Sequence, residues 1–290
     1  MARPVVLSNG ELHVGINQYG MVHDFYYPYV GLENHSAGKM LRHKIGVWVD
    51  GHISWLDEPG WDIHLGMADY ALAGHSVARN DEIGILIEMN DFVDVEMSAL
   101  VRNFHIVNLR DAKRDVRLFM HQAFVIGDAR SNTDTAQSLP DSDAILHYRG
   151  RRAFVISGRT HDGVPFDQHS IGIFGIEDHE GTYKDADDGE LAGGNVEHGR
   201  VDSMLRFRYE LAAYESAHVQ YWIAAGTSAR EALFIHKQLQ EQGINRRLDV
   251  LTEWWHEWLQ PVLHVAEKLP KTRARHFVKS AMILKAHMDK

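Results

Sequence analysis

Five residues near the N-terminus offer the chemistry most open to reading: Tyr26, Tyr27, Tyr29, Asn34 and His35. They belong to the stretch Asp24-Phe25-Tyr26-Tyr27-Pro28-Tyr29-Val30-Gly31, which runs on to Asn34-His35. Aromatic faces stack on sugar rings, and phenol, amide and imidazole groups bond hydroxyls, so a carbohydrate-lining surface is one reading. The other is that the rings fill a sheet end or pack against a further domain, which is the commoner fate of aromatic side chains. The five residues alone leave both open.

Other candidates are weaker. The chain has 20 histidines, but no HExxH motif occurs and pairs such as His161 with Asp162, or His179 with Glu180, are scattered. Neither a metal centre nor a cofactor is expected. Asp185-Ala186-Asp187-Asp188-Gly189-Glu190 gathers oxygen donors as a calcium loop does. It lacks the EF-hand order and its closing glutamate, and reads as a solvated loop. With no cysteine, disulfides, thiolate zinc and cysteine nucleophiles are excluded. No GxSxG elbow and no GxGxxG turn into a helix is present. Trp254-Trp255-His256-Glu257-Trp258 has helical spacing and reads as packing of a helix onto a sheet rather than as a sugar platform. A net charge of -10 without a basic stripe argues against nucleic acid. The start has no secretory signature and no run approaches the ~18–20 apolar residues of a membrane span, so no membrane partner and a soluble cytoplasmic protein are expected.

From about residue 4 to 225 the dominant hydrophobic period is two. Leu205-Arg206-Phe207-Arg208-Tyr209-Glu210-Leu211 is the clearest case, and residues 94–101, 116–121 and 219–223 follow it. Ser8-Asn9-Gly10 and Asp50-Gly51 read as hairpin turns, and Gly150 turns residues 145–149 back into 152–157. Residues 128–143 and 178–198 read as long loops. Many such strands predict a mainly β, antiparallel sandwich. Beyond residue 226 the period lengthens. Ser228 and Glu231 form a capping-box pattern ahead of a helix over 230–242 that stops at Gly243. A second helix is expected over 246–259, ended by Pro261, and a third opening at Pro270. The third carries Phe277, Ala281 and Leu284 on one stripe, with Val278 and Met282 beside it, and such a stripe must be covered. With no cap after it, the chain is expected to stop where another helical domain begins.

In order and spacing, several stretches resemble bacterial glucoamylases of glycoside hydrolase family 15. These are Asn9-Gly10 with Val14-Gly15 and Gly20, the 24–35 stretch, Gly181-Thr182-Tyr183-Lys184-Asp185-Ala186, and His198-Gly199-Arg200-Val201-Asp202-Ser203. Tyr221-Trp222-Ile223-Ala224-Ala225-Gly226, Trp254 to Leu259 and Ser280 to Ala286 continue the series. The resemblance implies a galactose-mutarotase-like β-supersandwich over residues 1–226. Residues 227–290 would then be linker helices and the first helix of an (α/α)6 barrel. In the family that barrel carries two glutamates that hydrolyse α-glucosidic bonds with inversion, and no carboxylate of this chain matches either, so the chain alone is expected to be silent. Its partners would be that barrel and, through the intact enzyme, an α-glucan or oligosaccharide. Three alternatives accompany this reading. They are a stand-alone carbohydrate-binding module, the equivalent domain of a disaccharide phosphorylase, and a sugar epimerase, which needs a paired acid and base on one concave face.

Overall fold

The computed structural model describes residues 3–36, 43–126, 133–176 and 178–290. Strands β1 (Val5–Ser8), β2 (His13–Ile16), β3 (Val22–Tyr26), β4 (Ile45–Val49), β5 (His52–Trp55), β6 (Asp62–Met67), β7 (Ala73–Asn80), β8 (Ile85–Val93) and β9 (Ala99–Asn108) come first. They are followed by β10 (Arg114–Ala123), β11 (Asp134–Leu139), β12 (Ala144–Arg149), β13 (Arg152–Thr160), β14 (Gln168–Ile173), β15 (Val196–Gly199), β16 (Val201–Leu211) and β17 (Ser216–Gly226). Three helices close the chain: α1 (Ala229–Gln242), α2 (Ile244–Ala266) and α3 (Lys271–Ala286).

Among the described residues these strands pair with one another antiparallel, in sheets ordered β1-β2-β3, β14-β16-β10-β4-β5 and β15-β11-β12-β13-β17-β9-β8-β7-β6. The alternation within each strand explains how they stack. Leu205 and Phe207 of β16, Leu118 and Met120 of β10, and Val219, Tyr221 and Ile223 of β17 all enter one core between the five- and nine-stranded sheets. The intervening residues face outward. This is the expected antiparallel supersandwich. Asp50 and Gly51 both take positive φ (54° and 86°), the backbone that lets a two-residue loop join β4 to β5.

The two outer faces are covered differently. On the five-stranded sheet, Phe119, Met204, Trp48 and Trp55 lie beneath Tyr183, Ala186 and Leu191 of the segment that follows β14. That segment is pinned by charge. Glu190 reaches Arg117 Nη1 at 2.8 Å and Arg206 Nη1 at 2.9 Å, and both guanidinium groups also donate to the Gly189 carbonyl. The Arg117 guanidinium sits 4.0 Å over the Trp48 ring. On the nine-stranded sheet, Trp222, Val101, Val155 and Phe92 meet Leu239, Leu251, Trp255 and Leu259 of the helices. Trp222 Nε1–H donates to His236 Nδ1 (3.0 Å), and His236 Nε2 donates to the Ser142 carbonyl (3.0 Å), which fixes the seat of α1. Ser228 caps α1 by accepting from the Glu231 N–H, while Glu231 returns to the N–H and hydroxyl of Thr227.

Several expectations need correction. Residues 94–98 are not strand, because the Asp94 carboxylate accepts from the N–H groups of Glu96 and Met97 and bends the chain into a turn between β8 and β9. The 128–143 and 178–198 stretches are not simply loops. They contain β11, β15 and a 3-10 turn over Thr182–Asp188, with β15 pairing β11 at the edge of the large sheet. Edge strands tolerate polar residues, so their hydrophobic pattern is faint. Residues 128–132 of the first stretch lie outside the described residues. Pro261 does not end α2: it is exposed inside the helix, and burial of Leu259 and Ala266 on either side carries the helix through it. Pro270 is the N-cap of α3, one position before the helix begins. Among the described residues no helix is long and apolar enough to cross a membrane.

Candidate functional site

The 24–35 segment leaves β3 at one end of the sandwich and sorts its residues by side. Phe25 and Tyr27 turn inward and, with His35, meet the Phe124 and Phe154 rings edge to face at centroid distances of 5.0–6.3 Å. Tyr27 is 3% and His35 0% exposed. His35 Nε2 donates to the Tyr27 carbonyl at 2.8 Å and closes the loop around the Tyr27–Pro28 peptide, which is cis. Burial pushes the His35 imidazole below its ordinary value, so the ring is a neutral donor there. Burial likewise raises the Tyr27 phenol.

Asn34 is the bracket of the loop. Its side-chain oxygen accepts from the N–H groups of Phe25 and Ser36, and its amide donates to Asp24 Oδ1 at 3.0 Å. Burial alone would raise the Asp24 carboxyl. The Arg3 guanidinium, with His23 and Asn34, outweighs it and holds the group below the usual carboxylate range. Glu33 makes a two-pronged pair with Arg152 at 2.7 and 2.8 Å, and that bond lowers its carboxyl. Tyr26 is half-buried with its ring 5.8 Å from that of His13, and Tyr29 is 52% exposed. The five residues singled out from sequence therefore do not form one open surface. Tyr27 and His35 are interior, Asn34 is spent on the backbone, and Tyr29 with part of Tyr26 faces outward.

What the outward side meets is α3. His13 Nδ1 donates to the Ala286 carbonyl at 3.1 Å and its ring lies 4.9 Å from His287. The Val30 N–H donates to Asp289, and the Lys290 N–H to the Gly10 carbonyl. The inner stripe of α3, Val278, Met282 and Ala286, is buried. The outer stripe is bare: Phe277 is 40%, Leu284 70% and Met288 56% exposed, with Leu32 of the loop at 69%. An apolar helix face continuous with exposed aromatics is the kind of surface that folding leaves for a partner.

Beside the N-terminal half of α3 a cleft of about 1350 Å³ opens between α2, α3 and the sheet edge, with Tyr70, Phe92, Leu263 and Val278 among its walls. The tryptophans of α2 divide as a packing helix predicts. Trp255 is buried at 1%, while Trp254 and Trp258 are half-buried with parallel rings 6.4 Å apart. The acidic 185–190 stretch spends Asp185, Asp188 and Glu190 on backbone and side-chain partners. Among the described residues no three His, Asp or Glu groups converge on a metal position.

An acid–base pair that sequence reasoning did not find also appears. Asp202 on β16 and His121 on β10 meet at 2.8 Å, on strands whose register is fixed only by long-range pairing. The pair is 0% and 1% exposed, and Thr182 N–H closes over Asp202 at 2.8 Å. It presents no open concave face, as an epimerase would need.

The chain was compared with known proteins on this footing. No family model matches it. An uncharacterized glycosyl hydrolase of Methanocaldococcus jannaschii is 28% identical over 151 residues, which is 52% of this chain and 23% of that protein. Bacterial glucoamylase complexed with acarbose shares the fold with a TM-score of 0.74 at 14% identity, over 98% of this chain and 40% of that one. A putative kojibiose phosphorylase from the human microbiome follows with a TM-score of 0.59 at 10% identity, over 89% and 36%. This chain has the sandwich-and-helix fold found in bacterial glucoamylase. It spans less than half the length of each of these proteins.

Proposed function

We propose that this chain is the N-terminal β-sandwich and helical linker of a glucoamylase-like glycoside hydrolase of family 15 that acts on α-glucosidic linkages. Its role is to support an (α/α)6 catalytic barrel, and it is silent alone. The observation that carries this reading is the fold match along 98% of the chain to 40% of a bacterial glucoamylase. Partial identity to a glycosyl hydrolase supports it. In this reading residues 1–226 are the sandwich and 227–290 the linker and first barrel helix. The bare stripe Phe277, Leu284 and Met288 is then the barrel's seat. Tyr29 and Tyr26 line the sugar cleft from the sandwich side, while Tyr27, Asn34 and His35 hold their backbone in place.

A second reading, the equivalent domain of a disaccharide phosphorylase, is favoured by the likeness to the kojibiose phosphorylase. The two differ in whether water or phosphate attacks, which is decided on a barrel.

The test is capture in trans. Immobilised chain should retain a separately expressed (α/α)6 barrel of a bacterial glucoamylase, and the double substitution Phe277→Asp with Leu284→Asp should abolish retention while leaving the urea transition in place. Glucose release from maltooligosaccharides by the chain alone would refute the proposal. So would saturable maltose binding, followed by tryptophan fluorescence, in the absence of any barrel; that outcome marks a binding module.

A further inference from the structure

Away from that end, the large sheet carries a row of imidazoles that lies far apart in sequence. The order β13-β17-β9-β8 places four strands side by side, and the register sets His218 opposite His105 and His105 opposite Glu88. Their strand neighbours Ile87, Met89, Phe104, Ile106 and Val219 point into the core, so these three side chains share the outer face. His161 follows the end of β13 and its N–H donates to the His218 carbonyl, which brings a third ring to the row. The rings of His105 and His218 lie face to face, 4.4 Å between centroids and 7° from parallel, and that of His161 is 6.0 Å from His218. His161 and His218 are exposed, and His105 keeps 30% of its side chain in solvent.

Glu88 gives the row a direction. Its carboxylate lies 2.9 Å from His105 Nδ1. A carboxylate there accepts a hydrogen bond from Nδ1–H and leaves Nε2 with its lone pair outward, the arrangement that orients metal-bound histidines.

We propose that His105, His218 and His161 form a binding site for a first-row divalent cation of the zinc, nickel and copper group, with Glu88 as the positioning residue for His105. Directly opposed residues on neighbouring antiparallel strands have Cβ atoms about 4.5–5.5 Å apart, close enough for two imidazoles to reach one ion. Nitrogen donors select this part of the first row over magnesium and calcium. Among the described residues no three groups converge on one point. The site therefore assembles as the two stacked rings swing apart about their side-chain torsions, and it leaves coordination positions for water.

The experiment uses the full chain without an affinity tag. Zn²⁺ is titrated against a chromophoric chelator, and Cu²⁺ is followed by electron paramagnetic resonance. One equivalent of Zn²⁺ should bind, and Cu²⁺ should show coupling to two or more nitrogens. His105→Ala and His218→Gln should each remove that equivalent, and Glu88→Gln should weaken it about tenfold. All three positions reach solvent, and an unchanged circular dichroism melt confirms that the variants fold. Zn²⁺ binding by the wild type no tighter than by the His105→Ala/His218→Gln double variant would overturn the proposal. So would a bound equivalent that survives both single substitutions, because the ion would then sit on other histidines.

Discussion

The two outer faces of this sandwich show what it costs to finish a sheet from within and what it means to leave one unfinished. The five-stranded sheet is sealed by its own chain, and polar groups do much of the sealing: Arg117 and Arg206 hold Glu190 and the Gly189 carbonyl across it. The nine-stranded sheet is covered by helices, yet the last of them turns Phe277 and Leu284 to solvent. A charged clamp satisfies itself and needs nothing more. An apolar stripe is satisfied only by contact with something else, and in the proposed reading the second face is where the barrel assembles.

The comparison can be broken most severely at Arg247. Its guanidinium, 3% exposed, grips Asp94 at 2.5 and 2.7 Å and so ties α2 to the turn between β8 and β9. Removing one partner of a buried pair strands the other charge, and Arg247→Ala should cost about 3–5 kcal/mol in urea unfolding. The helical face should loosen first, seen as faster hydrogen exchange in α2 than in β16.

Acid should act on the interior between the two sheets. His43 donates to the Ala123 carbonyl and His147 contacts Ser203 at 2.8 Å, and burial pushes both imidazoles down to about 3. The unfolded chain takes up these protons near pH 6.5, the folded one only near 3. Their contribution is complete above pH 6.5 and falls as pH drops, by about 1.4 kcal/mol per unit for each. Asp134, raised by burial to about 6, works the other way between pH 6 and its ordinary value of 3.8 and offsets one of them. From these three groups the net loss between pH 6 and 4 should be about 3 kcal/mol, and the lowered imidazoles of His13, His35 and His236 add to it. Urea midpoints measured across that range check it, and His147→Gln should flatten the slope.

The smallest effect sharpens the contrast. Glu190 is half-exposed, and without it Arg117 and Arg206 keep Asp115, Asp167 and the Gly189 carbonyl. Glu190→Ala should therefore cost only about 1 kcal/mol, read in the same urea assay. Its mark should be faster exchange over residues 182–192. A loss as large as that of Arg247→Ala would mean that the clamp holds the whole sheet and not only its cover.

Local chemistry was legible in the sequence wherever local chemistry decides. The Leu205–Leu211 alternation, the Asp50-Gly51 turn and the Ser228 cap each depend on a few adjacent residues. Strand β15 was hidden because an edge strand asks little of hydrophobicity, and β11 beside it because its residues are mostly polar. The apparent strand over 94–98 was undone by one carboxylate that bonds the backbone. Within the candidate site, residue type suggested sugar chemistry but could not sort Tyr27 and His35 inward from Tyr29 outward. That sorting depends on Phe124 and Phe154, about a hundred residues away. His161 looked scattered for the same reason: only the pairing of β13 with β17 places its ring 6.0 Å from that of His218.

The bond between His13 and Ala286 joins positions 273 apart in the chain. Contacts of such separation are the last to repay the entropy of closing the loop between them. The Gly10 carbonyl in the turn between β1 and β2 likewise waits for the Lys290 N–H, although Asn9 matches the rest of that turn from within. The seat of β2 against the helices is thus completed late in folding, while the aromatic loop beside it is held by Asn34, His35 and the Phe124 and Phe154 rings.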